Sequence, residues 1–301
     1  MIPCFNADRW VRHCIESALE QSVAAKEVIV VDDGSTDGSL NIIRSFGNRI
    51  RFEAGPNRGG NVARNRLLGM AKGEWVQFLD ADDYLRPNKI KQQMESCDED
   101  VDVIYSPVTI ETWNSDCVEK TTIHGPNPNQ SLEEQWIRWN VGQTGSVLWR
   151  RTCLQQIGGW NEQYPCCQDN EVILRAICKR LTFKFCPDAG AVYRIWSEDT
   201  VCRKNPARVI QYRTDLIHQM LGWLESKAQI MPSHRKAAGQ AFFEMARTLA
   251  KSDIEAGKQY AMKCQKDRLF NITGPAAPGI YRLLYSILGF AATERLAAIR
   301  R

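Results

Sequence analysis

The chain has 301 residues, of which 44% are hydrophobic and 25% are charged, and its net charge is +4. This composition is typical of one large globular domain with an appendage. It excludes a predicted transmembrane helix, because no run of about 18 uncharged apolar residues occurs. The excess positive charge comes from residues 251–301. A near-neutral body with one basic end does not suggest a nucleic acid as partner.

Neither the N-terminus nor the cysteines indicate secretion. The initial residues MIPCFNADRW lack the charged and then apolar pattern of a signal peptide. The eleven cysteines show no CxxC spacing, and their odd number is typical of reduced thiols. We therefore expect a cytoplasmic protein.

Apolar residues at helical and strand spacing predict alternating elements over the first part of the chain. Helices are predicted at 8–21, 59–70 and 88–96, and strands at 27–31, 50–54, 75–79 and 101–105. Such alternation is typical of an open, mostly parallel sheet with helices on both faces. The predicted class is therefore α/β.

The alternation ends after residue 105. Residues 109–130 are predicted as loop or edge strand, 131–140 and 170–179 as helices, and 191–195 as a strand. Only helical patterns follow Asn205-Pro206, which indicates a domain over residues 1–204 and a helical region over residues 205–301. Within that region one apolar stripe at helical spacing contains Ile280, Leu283, Leu284, Ile287, Leu288 and Ala291.

Two acidic clusters directly follow predicted strands. The first is Asp32 and Asp33, and the second is Asp80, Asp82 and Asp83. Ligands of an open parallel sheet bind outside the carboxyl ends of its strands, so we expect both clusters to converge on one edge. Aspartate is also a common turn residue. Two such clusters with the Gly-rich PNRGGNVARN between them are better explained by a binding site.

The spacing of the second cluster indicates a cation. Asp80 and Asp82 are two positions apart, so in an extended chain their side chains lie on the same side. Two carboxylates there suit Mg²⁺ or Mn²⁺, with positions left for water and substrate phosphates. Arg64, on a predicted helix, could add positive charge for the same phosphates or position the first acidic cluster. The alternative for Arg64 is a solvated arginine on a helix surface.

From Met1 to about Val201 the chain resembles glycosyltransferase family 2, whose members have the GT-A fold, a Rossmann-like sheet flanked by helices. The likeness is carried by PCFN at 3–6, EVIVVDDGSTDGS at 27–39, NRGGNVARNRLLGMAKGEWVQFLDADD at 57–83, GSVLWRR at 145–151, and IGGWNE with QDNEVILRA after it. The resemblance implies transfer of a sugar from a nucleoside-diphosphate sugar, most commonly UDP-linked, to a hydroxyl of a glycan or lipid-linked acceptor.

The resemblance also implies a role for each acidic cluster. Asp33, with Asp32 beside it, would contact the nucleotide base in a pocket lined by the segment Pro3–Asn6. Asp80 would face the ribose. Asp82 would be the ligand of the Mn²⁺ or Mg²⁺ ion that stabilises the leaving diphosphate.

By the same resemblance the general base is Asp169, which follows Gln168 where relatives carry glutamate. Its position before a predicted helix also suits an N-cap, and Glu171 is the alternative base. A base takes the proton of the acceptor hydroxyl as that oxygen attacks. Because no second carboxylate acts as a nucleophile, this arrangement implies inversion at the anomeric carbon.

Two departures from the family pattern leave alternatives open. Trp196 stands where many relatives carry a histidine that contributes to the metal or diphosphate site, and it could cover the donor or pack in the core. The chain begins at Met1-Ile2-Pro3, so we expect most of the first strand to be missing. Because Gln168 and Trp196 replace usual site residues of the family, the protein could also bind a nucleotide sugar without turnover. A haloacid-dehalogenase-like phosphatase is a weaker alternative, because its Asp-x-Asp lies on the first strand.

The C-terminal apolar stripe also has more than one interpretation. Arg282, Arg295, Arg300 and Arg301 flank it, which suits an anionic membrane surface. Peripheral contact through residues 275–301 would place the protein at the cytoplasmic face of a membrane. The stripe could instead pack on the catalytic domain or on a second subunit.

Overall fold

A computed structural model describes residues 1–114, 116–197 and 204–299. The chain forms two compact units. The first is Met1–Asn129 with Asn140–Glu198, and the second is Gln130–Trp139 with Asp199–Arg301. Residues 130–139, which fall inside the predicted first domain, therefore belong with the C-terminal helices.

The described strands all lie in the first unit, and the helices occur in both. The strands are β1 (Ile2–Cys4), β2 (Ile29–Asp32), β3 (Arg51–Ala54), β4 (Trp75–Gln77), β5 (Tyr84–Leu85), β6 (Val103–Tyr105), β7 (Val108–Asn114), β8 (Cys117–His124), β9 (Val147–Arg150), β10 (Phe183–Phe185) and β11 (Ala191–Ile195). The helices are α1 (Val11–Leu19), α2 (Ser39–Ser45), α3 (Gly60–Met70), α4 (Lys89–Glu95), α5 (Leu132–Ile137), α6 (Arg151–Gln156), α7 (Gln168–Cys178), α8 (Pro206–Ser226), α9 (Pro232–Ala250), α10 (Ile254–Lys266) and α11 (Gly279–Ile299).

Three sheets contain these strands, in the orders β1-β2-β3, β10-β6-β9-β4 and β5-β11-β7-β8. Only the first sheet is wholly parallel. In the second, β9 runs antiparallel to β4 and β6, and in the third β7 and β8 form a hairpin. The α/β class is confirmed. The pairing is mixed rather than mostly parallel. Strand β9 pairs antiparallel with two strands that lie far from it in the chain, whereas the antiparallel pair β7–β8 is a hairpin with a short connection.

Strand β1 has three residues and joins the two acid-bearing segments. Ile2 pairs with Val30 and Cys4 pairs with Asp32 in parallel register. On the other side, the amide N–H of Leu79 donates to the carbonyl of Met1 at 3.0 Å. The carboxyl ends of β2 and of the segment that continues β4 therefore flank β1, as the site prediction requires. A cavity of about 310 Å³ lies near the opposite, amino ends of these strands.

An apolar core fixes α1 and α2 against this sheet. Val11, Ile15 and Ile43 are fully buried in one cluster with Ile2 and Val30. These helices cover one face of β1 and β2, so the polar loops at the carboxyl ends of the strands remain at the rim. This arrangement leaves the rim as the place where a ligand can enter.

The second unit is helical among the residues that the structure describes. The side chains Phe243, Ala246, Tyr281 and Phe290 form its core. Helix α11 carries a break at Gly289, where φ is 71°. Glu294 is buried and accepts hydrogen bonds from Arg247 and from the Tyr281 hydroxyl, at 2.6 and 2.7 Å. None of the described helices combines the length and the hydropathy needed to cross a bilayer.

Candidate active site at the carboxyl ends of the strands

The first acidic cluster lies at the end of β2 and is almost fully buried. Asp33 accepts the backbone N–H groups of Arg58 and Gly59 at 2.9 and 2.8 Å, one on each carboxylate oxygen. Asp32 accepts the N–H of Ser35 on Oδ2 at 3.2 Å. Its Oδ1 is buried, and no group in the described part of the chain donates to it. A buried carboxylate oxygen without a donor is a ready acceptor for an N–H group of a ligand.

The segment after β1 closes against this cluster. Pro3 lies in β1 opposite Val31, and Asn6 follows with φ at 48°. The Asn6 side-chain oxygen accepts the N–H of Thr36 at 2.8 Å, and its own N–H donates to the Ser35 hydroxyl at 3.0 Å. The segments that follow β1 and β2 are therefore linked by direct hydrogen bonds.

Arg64 on α3 is the cation of the second cluster. Its Nη2 donates to Asp80 Oδ1 at 2.7 Å, and its Nη1 donates to Gln168 Oε1 at 2.9 Å. The guanidinium carbon lies 4.7 Å from the Trp160 ring centroid, a cation–π contact. Burial would lower the pKa of Arg64, but the carboxylates of Asp80 and Asp169 outweigh it and raise that pKa. Arg64 is thus not the solvated helix arginine that the sequence left as an alternative.

Asp82 and Asp83 are held by the end of β11. The indole N–H of Trp196 donates to Asp82 Oδ2 at 3.0 Å. The backbone N–H of Arg194 and the Gln143 amide donate to the two oxygens of Asp83, at 2.9 and 3.0 Å. Burial and the neighbouring Asp80 raise the pKa of Asp82, and the Trp196 hydrogen bond opposes that rise. Trp196 therefore contacts the predicted metal ligand directly.

Asp169 lies in the first turn of α7 and not at its N-cap, which is Cys167 in a left-handed conformation. The Thr144 hydroxyl donates to Asp169 Oδ1 at 2.7 Å. Burial raises the pKa of Asp169 to about 6; Arg64 opposes the rise, Asp80 adds to it, and the Thr144 hydrogen bond also opposes it. A carboxylate with a pKa near neutrality is suited to general base catalysis.

Glu171, the alternative base, is already engaged. Its two carboxylate oxygens accept Arg175 Nε and Nη2 at 2.7 and 2.8 Å. This bidentate ion pair joins two residues of α7 that are one helical turn apart. The geometry therefore favours Asp169 over Glu171 as the candidate general base.

A divalent cation fits this site only together with a ligand. No group of three or more His, Cys, Asp or Glu side chains gathers as a metal site in residues 1–114, 116–197 or 204–299. The indole N–H of Trp196 occupies Oδ2 of Asp82, and no other described side chain donates to this carboxylate. One carboxylate with substrate phosphates and water is a usual environment for Mg²⁺, and the oxygen donors also suit Mn²⁺. The residues present thus fit a cation that is shared with a diphosphate.

The second cluster and Asp169 therefore meet around Arg64, whereas Asp32 and Asp33 lie across β1 from them. Sequence reasoning missed Thr144 and Gln143, the residues that hold Asp169 and Asp83. They lie in a 3-10 turn and its cap, Thr144–Ser146 with Gln143. The motif GSVLWRR begins directly after Thr144. Its position at this turn is the one signal in the sequence that points to Gln143 and Thr144.

The family model for glycosyl transferase family 2 matches residues 1–152 of this chain. The chain belongs to glycosyl transferase family 2. This match argues against the phosphatase alternative. A chondroitin synthase of Pasteurella multocida (strain Pm70) is 40% identical over 93 residues, which are 30% of this chain and 10% of that protein. The chain thus spans a small part of this relative's length.

Solved structures show the same fold over the whole chain. S. aureus TarS 1-349 in complex with UDP-GlcNAc has a TM-score of 0.59 and 17% identity, covering 100% of this chain and 91% of that one. The mannosyltransferase PcManGT from Pyrobaculum calidifontis, in complex with GDP-Man and Mn²⁺, has a TM-score of 0.51 and 14% identity, covering 99% and 85%. The GT-A fold expected of this family member is confirmed.

Proposed function

We propose that this family 2 enzyme is an inverting glycosyltransferase that moves a sugar from a nucleoside-diphosphate donor to a hydroxyl group. The observation that carries the proposal is the position of Asp169. It is a carboxylate with a pKa raised to about 6, held by Thr144 beside the cation Arg64. The edge of the sheet where α/β enzymes bind nucleotides carries Asp169, Arg64 and Asp82.

Each residue then has one task in the reaction. Asp169 takes the proton of the acceptor hydroxyl as its oxygen attacks the anomeric carbon. Arg64 stabilises the negative charge of the diphosphate that leaves from the opposite face. A divalent cation held by Asp82, Mn²⁺ or Mg²⁺, would supply further neutralisation of that charge. No covalent intermediate is needed, so a single displacement inverts the configuration.

The first acidic cluster supports binding of the donor's base. Asp32 Oδ1 is buried without a donor in the described chain, and an imide N–H of a base would satisfy it. Asn6 and Asp33 fix the loops on either side of this oxygen. We prefer UDP, since TarS was solved with UDP-GlcNAc, while GDP-Man in PcManGT makes GDP the second candidate. In this proposal Pro3 lines the pocket and Asp80 faces the ribose.

The alternative of binding without turnover has less support. Gln168 replaces a glutamate, but it still binds Arg64 through Oε1, and its amide N–H donates to the Tyr164 carbonyl at 3.2 Å. Asp169 itself is present and has a raised pKa. Gln168 in place of glutamate therefore changes a neighbour of the proposed base and leaves Asp169 itself in place.

The acceptor is proposed to be a glycan or a lipid-linked glycan in polysaccharide assembly. The chondroitin synthase relative supports a polysaccharide product, and the exposed face of α11 supports a lipid surface. Ile280, Leu283 and Ile287 on α11 are each more than half exposed, at i, i+3 and i+7. Arg282 lies beside them. Such a face suits peripheral contact through residues 275–301 with an anionic membrane on its cytoplasmic side.

The test is release of the nucleoside diphosphate from a panel of UDP-sugars and GDP-Man, with Mn²⁺ and a membrane extract as acceptor source. Wild type should turn over one donor. Asp169→Asn should reduce turnover by about 10² or more while nucleotide binding is retained, because the base is lost and the pocket is kept. Nucleotide binding without any turnover by wild type would support the binding-only alternative. Undiminished turnover by Asp169→Asn would contradict the base assignment.

A further inference from the structure

The indole of Trp196 makes the one side-chain hydrogen bond to the Asp82 carboxylate among the described residues. Nε1 of Trp196 lies 3.0 Å from Asp82 Oδ2. Trp196 directly follows β11, and Asp82 follows the segment that continues β4. The contact therefore joins two distant parts of the chain at the predicted metal ligand.

The same strand end fixes the backbone of Asp82. Arg194 Nη1 donates to the Asp82 carbonyl at 2.9 Å, and the Arg194 N–H donates to Asp83 Oδ1 at 2.9 Å. Because the backbone is held in this way, Asp82 can change the position of its carboxylate only through rotation of its side chain, which is its remaining conformational freedom. The Trp196 hydrogen bond removes it.

Trp196 is itself held by an aromatic cluster. Its ring centroid lies 6.0 Å from that of Trp10, and the Trp10 ring packs edge-on against Trp113 at 5.1 Å. The guanidinium of Arg194 lies 4.7 Å from the Trp10 centroid. Packing on this cluster sets the direction of the indole N–H.

An indole N–H is a donor only and cannot bind a metal. It occupies Oδ2 of Asp82 and leaves Oδ1 for a cation. We propose that Trp196 is a positioning residue which orients Asp82 so that it offers a single oxygen to the cation. This inference rests on the proposed function of Asp82 as the metal ligand.

A consequence is that the cation enters only with the nucleotide. One carboxylate oxygen binds Mn²⁺ weakly, and no group of three or more His, Cys, Asp or Glu side chains gathers as a metal site in the described residues. The diphosphate supplies the additional oxygen ligands. Mn²⁺ alone should therefore bind far more weakly than Mn²⁺ in the presence of UDP or GDP.

The experiment is an electron paramagnetic resonance titration, in which free Mn²⁺ gives a sharp signal that is lost on binding. Wild type, Trp196→Phe and Trp113→Phe are titrated with Mn²⁺ alone, with UDP and with GDP. Trp113→Phe is the matched control, because its indole N–H donates to Glu111 at 3.1 Å and not to Asp82. Binding of metal-free UDP and GDP is measured by calorimetry for all three proteins.

In the presence of the preferred nucleotide, Trp196→Phe should raise the Mn²⁺ dissociation constant by about tenfold or more. Trp113→Phe should leave it unchanged, and metal-free nucleotide binding should be equal in all three. Equal Mn²⁺ affinity in Trp196→Phe and wild type would overturn the role of Trp196. An equal loss in both variants would also overturn it, since cluster packing would then be the cause. No Mn²⁺ binding by wild type with either nucleotide would instead overturn the proposed metal site, and the role of Trp196 with it.

Discussion

At the scale of single residues, the chemistry depends on the protonation state of Asp169. The carboxylate must be ionised to accept a proton, and burial raises its pKa to about 6. Arg64 and the Thr144 hydroxyl, the latter 2.7 Å from Oδ1, both favour the ionised form. Asp80, on the other side of Arg64, disfavours it. The balance keeps Asp169 mostly ionised at neutral pH yet basic enough to react.

A pH–rate profile tests this assignment. We expect kcat/KM to fall on the acid side with a midpoint near pH 6, because the base is then protonated. Thr144→Val removes a hydrogen bond that stabilises the ionised carboxylate, so the pKa of Asp169 and the midpoint should both rise. An acid limb that stays at the wild-type pH in Thr144→Val would show that another group controls it.

Lys89 on α4 is a buried cation that the proposed reaction does not use. It is 1% exposed, and its ammonium group contacts the Gln77 side-chain oxygen. No carboxylate in the described ranges pairs with it. Burial therefore lowers the pKa of Lys89 well below its ordinary value. Folding therefore favours the neutral form of this amine.

The free energy of unfolding should then depend on pH through Lys89. An unfolded lysine keeps its proton up to about pH 10.4, whereas the folded one loses it at lower pH. Between those two values the unfolded state binds more protons, so stability rises with pH, by up to about 1.4 kcal/mol per unit. Urea unfolding of Lys89→Met at several alkaline pH values should show a smaller slope.

Lys91→Met is the matched control for this measurement. Lys91 lies on the same helix and is half exposed, so its removal should leave the slope as in wild type. A slope in Lys89→Met equal to that of wild type would mean that the buried amine is charged in the folded state.

The sequence predicted the carboxylates of the site better than their partners. Asp33, Asp80 and Asp82 stand directly after apolar strands, so their place at the rim of a sheet follows from local pattern. Thr144 and Trp196 reach the site from turns far along the chain, and hydrogen bonds to them depend on tertiary packing. No local pattern distinguishes such a threonine or tryptophan from others.

At the scale of elements, the turn before β9 connects the second cluster with Asp169. Gly142 has φ at 131°, and a Cβ built there would lie 2.6 Å from Asn170 Oδ1. Gln143 and Thr144 follow at once and hold Asp83 and Asp169. The turn can therefore keep its shape only with glycine at this position.

Gly142→Ala should displace either this turn or the start of α7. We expect a loss of about 1–3 kcal/mol in the free energy of unfolding and a fall in kcat/KM with nucleotide affinity largely kept. Gly69→Ala in α3 is the control, because a Cβ there meets nothing within 4 Å and alanine favours helix. Wild-type activity in a stable Gly142→Ala protein would show that the turn does not position the base.

Element prediction was specific for strands within the alternating first part of the chain and for β11, and it was least definite between residues 109 and 130. The strand predicted at 191–195 is β11, with the same bounds. Residues 109–130, predicted as loop or edge strand, include most of β7 and all of β8, and β8 lies at the edge of its sheet. Every residue of β8 is exposed, so no apolar alternation marks it as a strand. The four-residue VLWR of β9 is too short to be assigned from periodicity.

At the scale of the whole chain, positive charge and exposed apolar surface occur in the same segment. Residues 251–301 carry nine Lys or Arg and four Asp or Glu. Glu294 is one of the four and is buried in an ion pair with Arg247. The exposed apolar residues of α11 therefore belong to a segment with five more basic than acidic residues (nine against four), which supports the proposed contact with an anionic membrane.

Vesicle sedimentation tests that contact. Wild type should sediment with vesicles that contain phosphatidylglycerol, and less so with phosphatidylcholine alone. Ile287→Glu, at a residue that is 69% exposed, should reduce binding because it places a negative charge in the apolar face. Ile123→Glu on β8 is the control, since Ile123 is 71% exposed but lies in the other unit. Equal binding by all three proteins would contradict a role for α11.

In the proposed reaction, a nucleoside diphosphate and a divalent cation bind together at the carboxyl ends of β2 and β4. The most direct measurement is a thermal-shift panel of UDP, GDP, dTDP and CDP, each with and without Mn²⁺, on wild type and Asp82→Asn. At about 100 times its dissociation constant a ligand adds roughly 2.7 kcal/mol, which corresponds to a few degrees for a chain of this length. We predict such a shift with UDP that requires Mn²⁺ and is lost in Asp82→Asn. The absence of a shift with all four diphosphates, or an equal shift in Asp82→Asn, would contradict the claim.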